Sequence, residues 1–414
     1  MPVSAREIEK AAEKLANVVA VTPLQFNKRL SDEYGAEIYL KREDLQEVRS
    51  YKIRGAYNKM LSLSAMEVKK GVVTASAGNH AQGVALSCKK MKVKGTVFMP
   101  TVTPGQKIER VKYFGDGFVQ IKLVGQTYDE STMAAKEFAK QTDGLYISAF
   151  DDEKVIAGQG TVGKEIYDEL SGKVDVVLAP VGGGGLISGV ASYLKDKADD
   201  VKIVGVEAKG ADCMDQSLKN KKVVSLETID TFCDGCAVKT PGRLTLRICQ
   251  ELVDRMLIID TGAVAQRMIE LFQNEGIITE PAGALSVAAL DELKGDIRGK
   301  RVVCIISGGN NDLLRYPEIM ERSLVYQGRK HYFLIEFAQK PGQLKKFVNH
   351  VLGPRDDVVL FEYVKRTNRE KGPVLVGVEF SKKEDYLPMV HKMNDMDFNF
   401  KELRQDDLSY NFLI

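Results

Sequence analysis

The sequence predicts an α/β protein: parallel-rich sheets covered by helices, followed by a small ferredoxin-like module. Three observations point there. Short apolar runs alternate with amphipathic helical stretches through most of the chain. Glycine and proline stand where strands hand over to helices. Near residue 325 the order changes to βαββαβ.

Runs at 72–75, 94–99, 117–124, 174–180, 202–207 and 301–306 read as strands, and stretches such as 78–90 and 104–114 as helices. Near-continuous apolar strands separated by helices imply parallel pairing with both sheet faces covered. SAGNH at 76–80, VGGGGL at 181–186 and SGGNN at 307–311 each follow a strand and open a helix. They therefore lie at the carboxyl edge of a sheet, where open α/β sheets bind ligands. In the C-terminal module, 330–338, 357–365, 373–380 and 398–403 read as strands. Leu344, Phe347, Val348, Val351 and Leu352 recur with helical spacing and predict a helix over 341–352. A second helix is predicted over 384–395. The polar joint at 316–330 sets the expected division at 1–324 and 325–414.

The 414 residues are 44% hydrophobic and 28% charged, which suits two or three globular domains and excludes a disordered adaptor. A formal net charge of +2 argues against nucleic acid as a partner. No apolar run approaches the roughly 18 residues of a membrane span, and the amino terminus is charged and helical in period. The expectation is no membrane partner and a cytoplasmic location. Six cysteines in a long chain of that kind are expected as free thiols.

Gly182, Gly183, Gly184 and Gly185, followed by Leu186, join a buried strand to a helix. Without Cβ atoms, their N–H groups can turn to a phosphate at the helix's positive end. The alternative, a flexible loop, carries a large ordering cost. A dinucleotide fingerprint fails because Ile187 or Ser188 stands where its third glycine belongs, although Glu207 follows at a strand end. The run from Gly158 to Lys164 fits G-x-x-x-x-G-K, yet Glu165 follows where a hydroxyl should, and no buried strand precedes it. Cys233 and Cys236 form a lone C-x-x-C with only four histidines in the chain, so buried thiols are expected and no metal site.

Lys52, between Tyr51 and Ile53, is either a solvated charge or a buried amine with a lowered pKa, competent as a nucleophile. Ser76, Ala77, Gly78, Asn79 and His80 offer either simple helix capping or a cradle of N–H groups for a carboxylate or hydroxyl. Ser307 either closes a tight turn or presents its hydroxyl at the ligand edge.

Taken together, SYKIRGA at 50–56, SAGNHAQG at 76–83, VGGGGL at 181–186, DGCAVKTPG at 234–242, EPAGA at 280–284 and SGGNND at 307–312 resemble one family. Their order is that of the fold-type II pyridoxal-phosphate enzymes, and the match is closest to the biosynthetic threonine dehydratases (threonine ammonia-lyases). The resemblance spans about residues 5–320, and the remainder looks like the ACT-like regulatory domain of those enzymes. It implies a tryptophan synthase β-like catalytic domain with a smaller subdomain near 53–153 inserted in it.

By the same resemblance, the cofactor would be pyridoxal 5′-phosphate. Lys52 would hold it, Gly182 to Gly185 with Leu186 would bind its phosphate, Asn79 its 3′-oxygen, and Ser307 would face its ring nitrogen. The loop Ser76, Ala77, Gly78, Asn79 and His80 would receive the substrate carboxylate. The implied reaction converts L-threonine to 2-oxobutanoate and ammonia. It would be regulated by isoleucine at the C-terminal domain, in a homo-oligomer, expected to be a tetramer. The sibling reading is a serine dehydratase or racemase on the same fold. More distant readings are an amino-acid sensor with a degenerate catalytic domain, and a nicotinamide-dependent dehydrogenase.

Overall fold

The computed structural model describes residues 3–198, 200–363, 370–404 and 410. The chain divides into two compact units, Met1–Asp312 and Leu313–Ile414. In chain order the strands of the first unit are β1 (Leu24–Phe26), β2 (Glu37–Arg42), β3 (Val72–Ala75), β4 (Gly95–Met99), β5 (Val119–Leu123), β6 (Leu145–Tyr146), β7 (Val176–Pro180), β8 (Lys202–Ala208), β9 (Arg255–Ile259) and β10 (Arg301–Ile306).

The larger sheet has the order β1-β2-β10-β7-β8-β9, parallel throughout except for β1. The smaller sheet, β5-β4-β3-β6, is wholly parallel, and its strands fall between β2 and β7 in sequence. Strand β10 shows why the pairing is parallel. Val302, Val303, Cys304, Ile305 and Ile306 are all buried, as a strand covered on both faces requires. Cys304 sits opposite Leu40 on one neighbour and Leu178 on the other.

The glycines of the run from Gly158 to Lys164 lie inside a helix, Glu153–Glu169. They let backbones touch. A Cβ on Gly158 would meet the Arg54 carbonyl oxygen at 2.5 Å, and one on Gly160 would meet that of Gly189 at 2.9 Å. That helix also carries Glu165, which pairs with Arg54 at 2.6 Å and Lys41 at 2.8 Å. Arg54 pairs again with the fully buried Glu43 at 2.7 Å. The cluster is a structural brace, with every charge partnered.

The second unit holds the helix Tyr316–Tyr326 and then β11 (Lys330–Ala338), the helix Gln343–His350, β12 (Asp357–Tyr363), β13 (Lys371–Glu379), the helix Tyr386–Asp395 and β14 (Asn399–Leu403). The sheet order is β12-β13-β11-β14, all antiparallel, which is the ferredoxin-like arrangement of βαββαβ. Phe333, Ile335, Phe337, Val374, Val376 and Val378 pack against Phe347 and Met389 from the helices.

Differences from the expected bounds have local causes. The first helix of the module starts at Gln343, because Gly342 takes a φ of +89° as its cap. The second begins with a single 3-10 turn at Lys383–Asp385. Of the strand expected over 357–365, residues 364 and 365 lie outside the described residues. The contacts divide the chain upstream of residue 325, because Tyr332 on β11 donates to Glu321 at 2.7 Å and ties the helix Tyr316–Tyr326 to the second unit.

Candidate active site

Strand β7 ends at Pro180, and the glycine tetrad opens the helix Gly185–Lys197. The loop is rigid and tightly enclosed. Gly184 takes φ +89°, which disfavours any side chain. A Cβ on Gly182 would lie 2.2 Å from the Cys236 carbonyl oxygen, and one on Gly183 would lie 2.3 Å from the Phe150 ring. Thr245 donates its hydroxyl to the Gly183 carbonyl at 2.6 Å. The Asp151 carboxylate in turn accepts the N–H groups of Arg243, Leu244 and Thr245 at 2.9–3.2 Å. Leu186 is buried behind the loop. A packed, Cβ-free helix start with its N–H groups at a cavity fits a phosphate.

Lys52 opens the helix Lys52–Leu61. Its start is fastened to the end of β10, since Ser50 bridges Gly308 and the Tyr51 N–H donates to the Ser307 carbonyl at 3.2 Å. The half-buried amine donates to the Ala149 carbonyl at 3.2 Å and lies 5.1 Å from the centre of the Tyr51 ring. Burial pushes it down to about 8, against the pull of Glu280 and Cys236. An amine held there is a competent nucleophile and base near neutral pH.

Gly78 caps the helix Asn79–Met91, and its N–H donates to the Ser76 hydroxyl at 3.2 Å. Asn79 is buried and bonds at both ends of its amide. Its Nδ2 donates to Glu280 Oε1 at 2.6 Å, and its Oδ1 accepts from Asn310 Nδ2 at 2.7 Å. His80 Nε2 lies 3.2 Å from the Ile147 carbonyl, which can only accept, so that nitrogen carries the proton. Burial and the Lys52 charge push His80 down to about 3, so the ring is neutral, and its Nδ1 has no partner among the described residues. Ser307 is buried at the end of β10, and its hydroxyl makes a long bond of 3.2 Å to the Ala282 carbonyl.

These groups line one cavity of about 240 Å³, with Ala77 and Ser76 on its small-sheet side and the tetrad, Ser307 and Cys236 on the other. Lys107 and Asp234 also line it and pair at 2.5 Å. Glu280 is the residue that sequence reasoning left without a role. It appears there only as an acid before a proline, although its position ahead of an apolar helix was the available signal. Phe150 and Asn310 were missed as well. Glu207 binds no ribose: its carboxylate accepts the Met214 and Asp215 N–H groups at 2.9 and 2.8 Å. Cys233 and Cys236 are buried free thiols. No metal-binding group of three side chains occurs among the described residues.

Residues 15–308 match the family described as pyridoxal-phosphate dependent enzyme, and residues 321–413 match the C-terminal regulatory domain of threonine dehydratase. The L-threonine dehydratase biosynthetic IlvA of Lactococcus lactis is 48% identical over 415 residues, covering 100% of both chains. The chain belongs to the biosynthetic threonine dehydratases. Solved structures share the fold of about three quarters of the chain. The processed form of threonine deaminase isoform 2 from Solanum lycopersicum superposes with a TM-score of 0.73 at 39% identity, covering 78% of this chain and 90% of that one. Maize serine racemase reaches the same TM-score at 31% identity, covering 79% of this chain and 99% of its own. The catalytic fold is thus shared with a serine enzyme, and residues 321–413 add the match to the threonine dehydratase regulatory domain. The protein is a pyridoxal-phosphate enzyme of this family, and its own cradle and amine fit that cofactor. No helix among the described residues is long and apolar enough to cross a membrane.

Proposed function

We propose that the protein dehydrates and deaminates L-threonine to 2-oxobutanoate and ammonia. The observation that carries this reading is the Lys52 amine, pushed down to about 8 in a cavity whose facing wall is the packed glycine tetrad. Pyridoxal phosphate, when bound, supplies an electron sink at the substrate's Cα.

Lys52 would hold the cofactor through its amine and, once released, take the Cα proton. Gly182 to Gly185 and Leu186 would receive the phosphate, and Asn79 would donate to the 3′-oxygen. Ser307 offers an uncharged hydroxyl to the ring nitrogen. With the cofactor bound, such a neutral partner would leave that nitrogen largely unprotonated, which would favour elimination over transamination. The turn Ser76, Ala77, Gly78, Asn79 and His80 would receive the substrate carboxylate on its N–H groups.

The C-terminal unit would take isoleucine as a regulatory ligand, supported by the cap at Gly342 that turns β11 into its helix. The enzyme would work in the cytoplasm as a homotetramer, the assembly suggested by its family. Release of 2-oxobutanoate from L-threonine, with and without isoleucine, tests the reading. Product that falls with isoleucine supports both parts, product indifferent to it removes the regulation, and no product removes the activity.

A further inference from the structure

Glu280 stands at the start of the helix Pro281–Ala288, almost wholly buried, 201 residues from the side chain it holds. The surrounding chain is shaped to its carboxylate. A Cβ on Gly308 would lie 2.5 Å from Oε1, and one on Gly235 would lie 2.9 Å from it. Two loops thus approach the same oxygen with bare backbone. The Glu280 N–H donates to the Gly308 carbonyl at 3.2 Å, and the carboxylate accepts the Asn310 N–H.

The hydrogen bonds form a directed relay. The Val48 carbonyl can only accept, so the Asn310 group 2.8 Å from it is the amide nitrogen. The same nitrogen donates to Asn79 Oδ1, so the other end of the Asn79 amide must be its nitrogen. That nitrogen gives one hydrogen to Glu280 Oε1 and keeps a second. Asn79 lines the cavity, so the spare N–H is a donor with a fixed bearing.

We propose that Glu280 is a positioning residue: it locks the Asn79 amide with its nitrogen presented to the cofactor's 3′-oxygen, and so acts on the bound cofactor through Asn79. The proposal rests on the reading of Asn79 given above. Burial pushes the Glu280 carboxyl up to about 7, with Asp234 adding to the rise, while Asn79, Lys107 and the Asn310 N–H oppose it. Lys52, Tyr51 and Cys236 also lie within its electrostatic reach.

The test uses the cofactor-loaded enzyme and two readouts besides turnover: the visible absorption maximum of the bound cofactor, and its rate of loss to a carbonyl trap. Asn79→Ala should shift the band and speed cofactor loss by at least about tenfold, the effect of one strong hydrogen bond. Glu280→Leu, which accepts nothing, should do the same, and the double variant should be no worse than Asn79→Ala. Glu280→Gln, whose carbonyl still accepts from Asn79, should stay within about twofold of the unaltered enzyme.

Losses that multiply in the double variant overturn the proposal, as does a Gln variant that behaves like Leu. If Glu280→Leu does not fold, the Gln variant decides, because a loss equal to that of Asn79→Ala contradicts the relay. An Asn79→Ala enzyme with unchanged band and release would instead show that the reading of Asn79 itself is wrong, and the proposal falls with it.

Discussion

Phe150 and Gly183 are fitted to each other, with the ring standing where a Gly183 side chain would begin, 2.3 Å from the position of its Cβ. The proposed phosphate cradle is therefore walled by an aromatic plane in contact with its backbone. Gly183→Ala should force the ring or the loop aside at a cost of about 1–3 kcal/mol. The expected outcome is cofactor retention weakened about tenfold or more, read by absorbance after gel filtration. Phe150→Leu in the same chain should restore part of it.

Arg54 holds two carboxylates at once, the fully buried Glu43 and the largely buried Glu165. Replacing it with Met leaves Glu43 buried without its paired cation, with neutral hydrogen bonds from Thr22 and Gln46 and only the attraction of the Lys41 charge. The expected loss is about 3–5 kcal/mol in denaturant unfolding. Arg54 holds the Glu43 carboxyl below its usual value, so this stability is present above about pH 4.5 and is lost as pH falls through the lower folded value. The Met variant should lose that part of the acid transition.

Lys52 bears on stability with the opposite sign. Its pKa falls from 10.5 to about 8 on folding, so between those values the unfolded chain binds more protons. In cofactor-free protein, stability should therefore rise with pH across that window. Below pH 8 both states carry the charge, and the folded state bears its desolvation. Lys52→Met should then be more stable than the parent at pH 7 by on the order of 1–2 kcal/mol, discounted for partial exposure. The gap should close towards pH 10.5. A variant less stable than its parent at pH 7 would show that Lys52 is better solvated than the cavity implies.

Lys107 and Asp234 pair at 2.5 Å beside the cavity, each about one-third exposed or less, at 28% and 32%. An exposed pair of this kind is worth under about 1 kcal/mol. Lys107→Met should leave the melting temperature almost unchanged and raise KM for threonine more than it lowers kcat. A large fall in stability with KM unchanged would place the pair in the scaffold instead.

Much of the fold was legible because it rests on local pattern. Strands β3, β10 and β11 run over the residues that periodicity predicts, since each is an apolar run closed by glycine or a polar turn. Strand β1 escaped notice because it has three residues and only one side of it is paired. Strand β9 did too, because its apolar run is only the four residues after the charged Arg255. At the site, the tetrad and Lys52 were visible as unusual residues in unusual places. Glu280 was not, because its meaning lies in meeting Asn79 across 201 positions, and no spacing records that. The glycines of the helix Glu153–Glu169 show the converse. A phosphate-loop pattern there reports helix contact at Arg54 and Gly189.

Lys52, in the cavity it shares with the glycine tetrad, is the residue on which threonine dehydration turns. The most direct test measures 2-oxobutanoate formed from L-threonine by the cofactor-loaded enzyme and by its Lys52→Ala variant, at equal protein and matched folding. Product is expected from the first and a loss of at least about a thousandfold in the second, together with the loss of the covalently held cofactor's absorption band. Turnover in the Ala variant within about tenfold of the unaltered enzyme would contradict that role of Lys52.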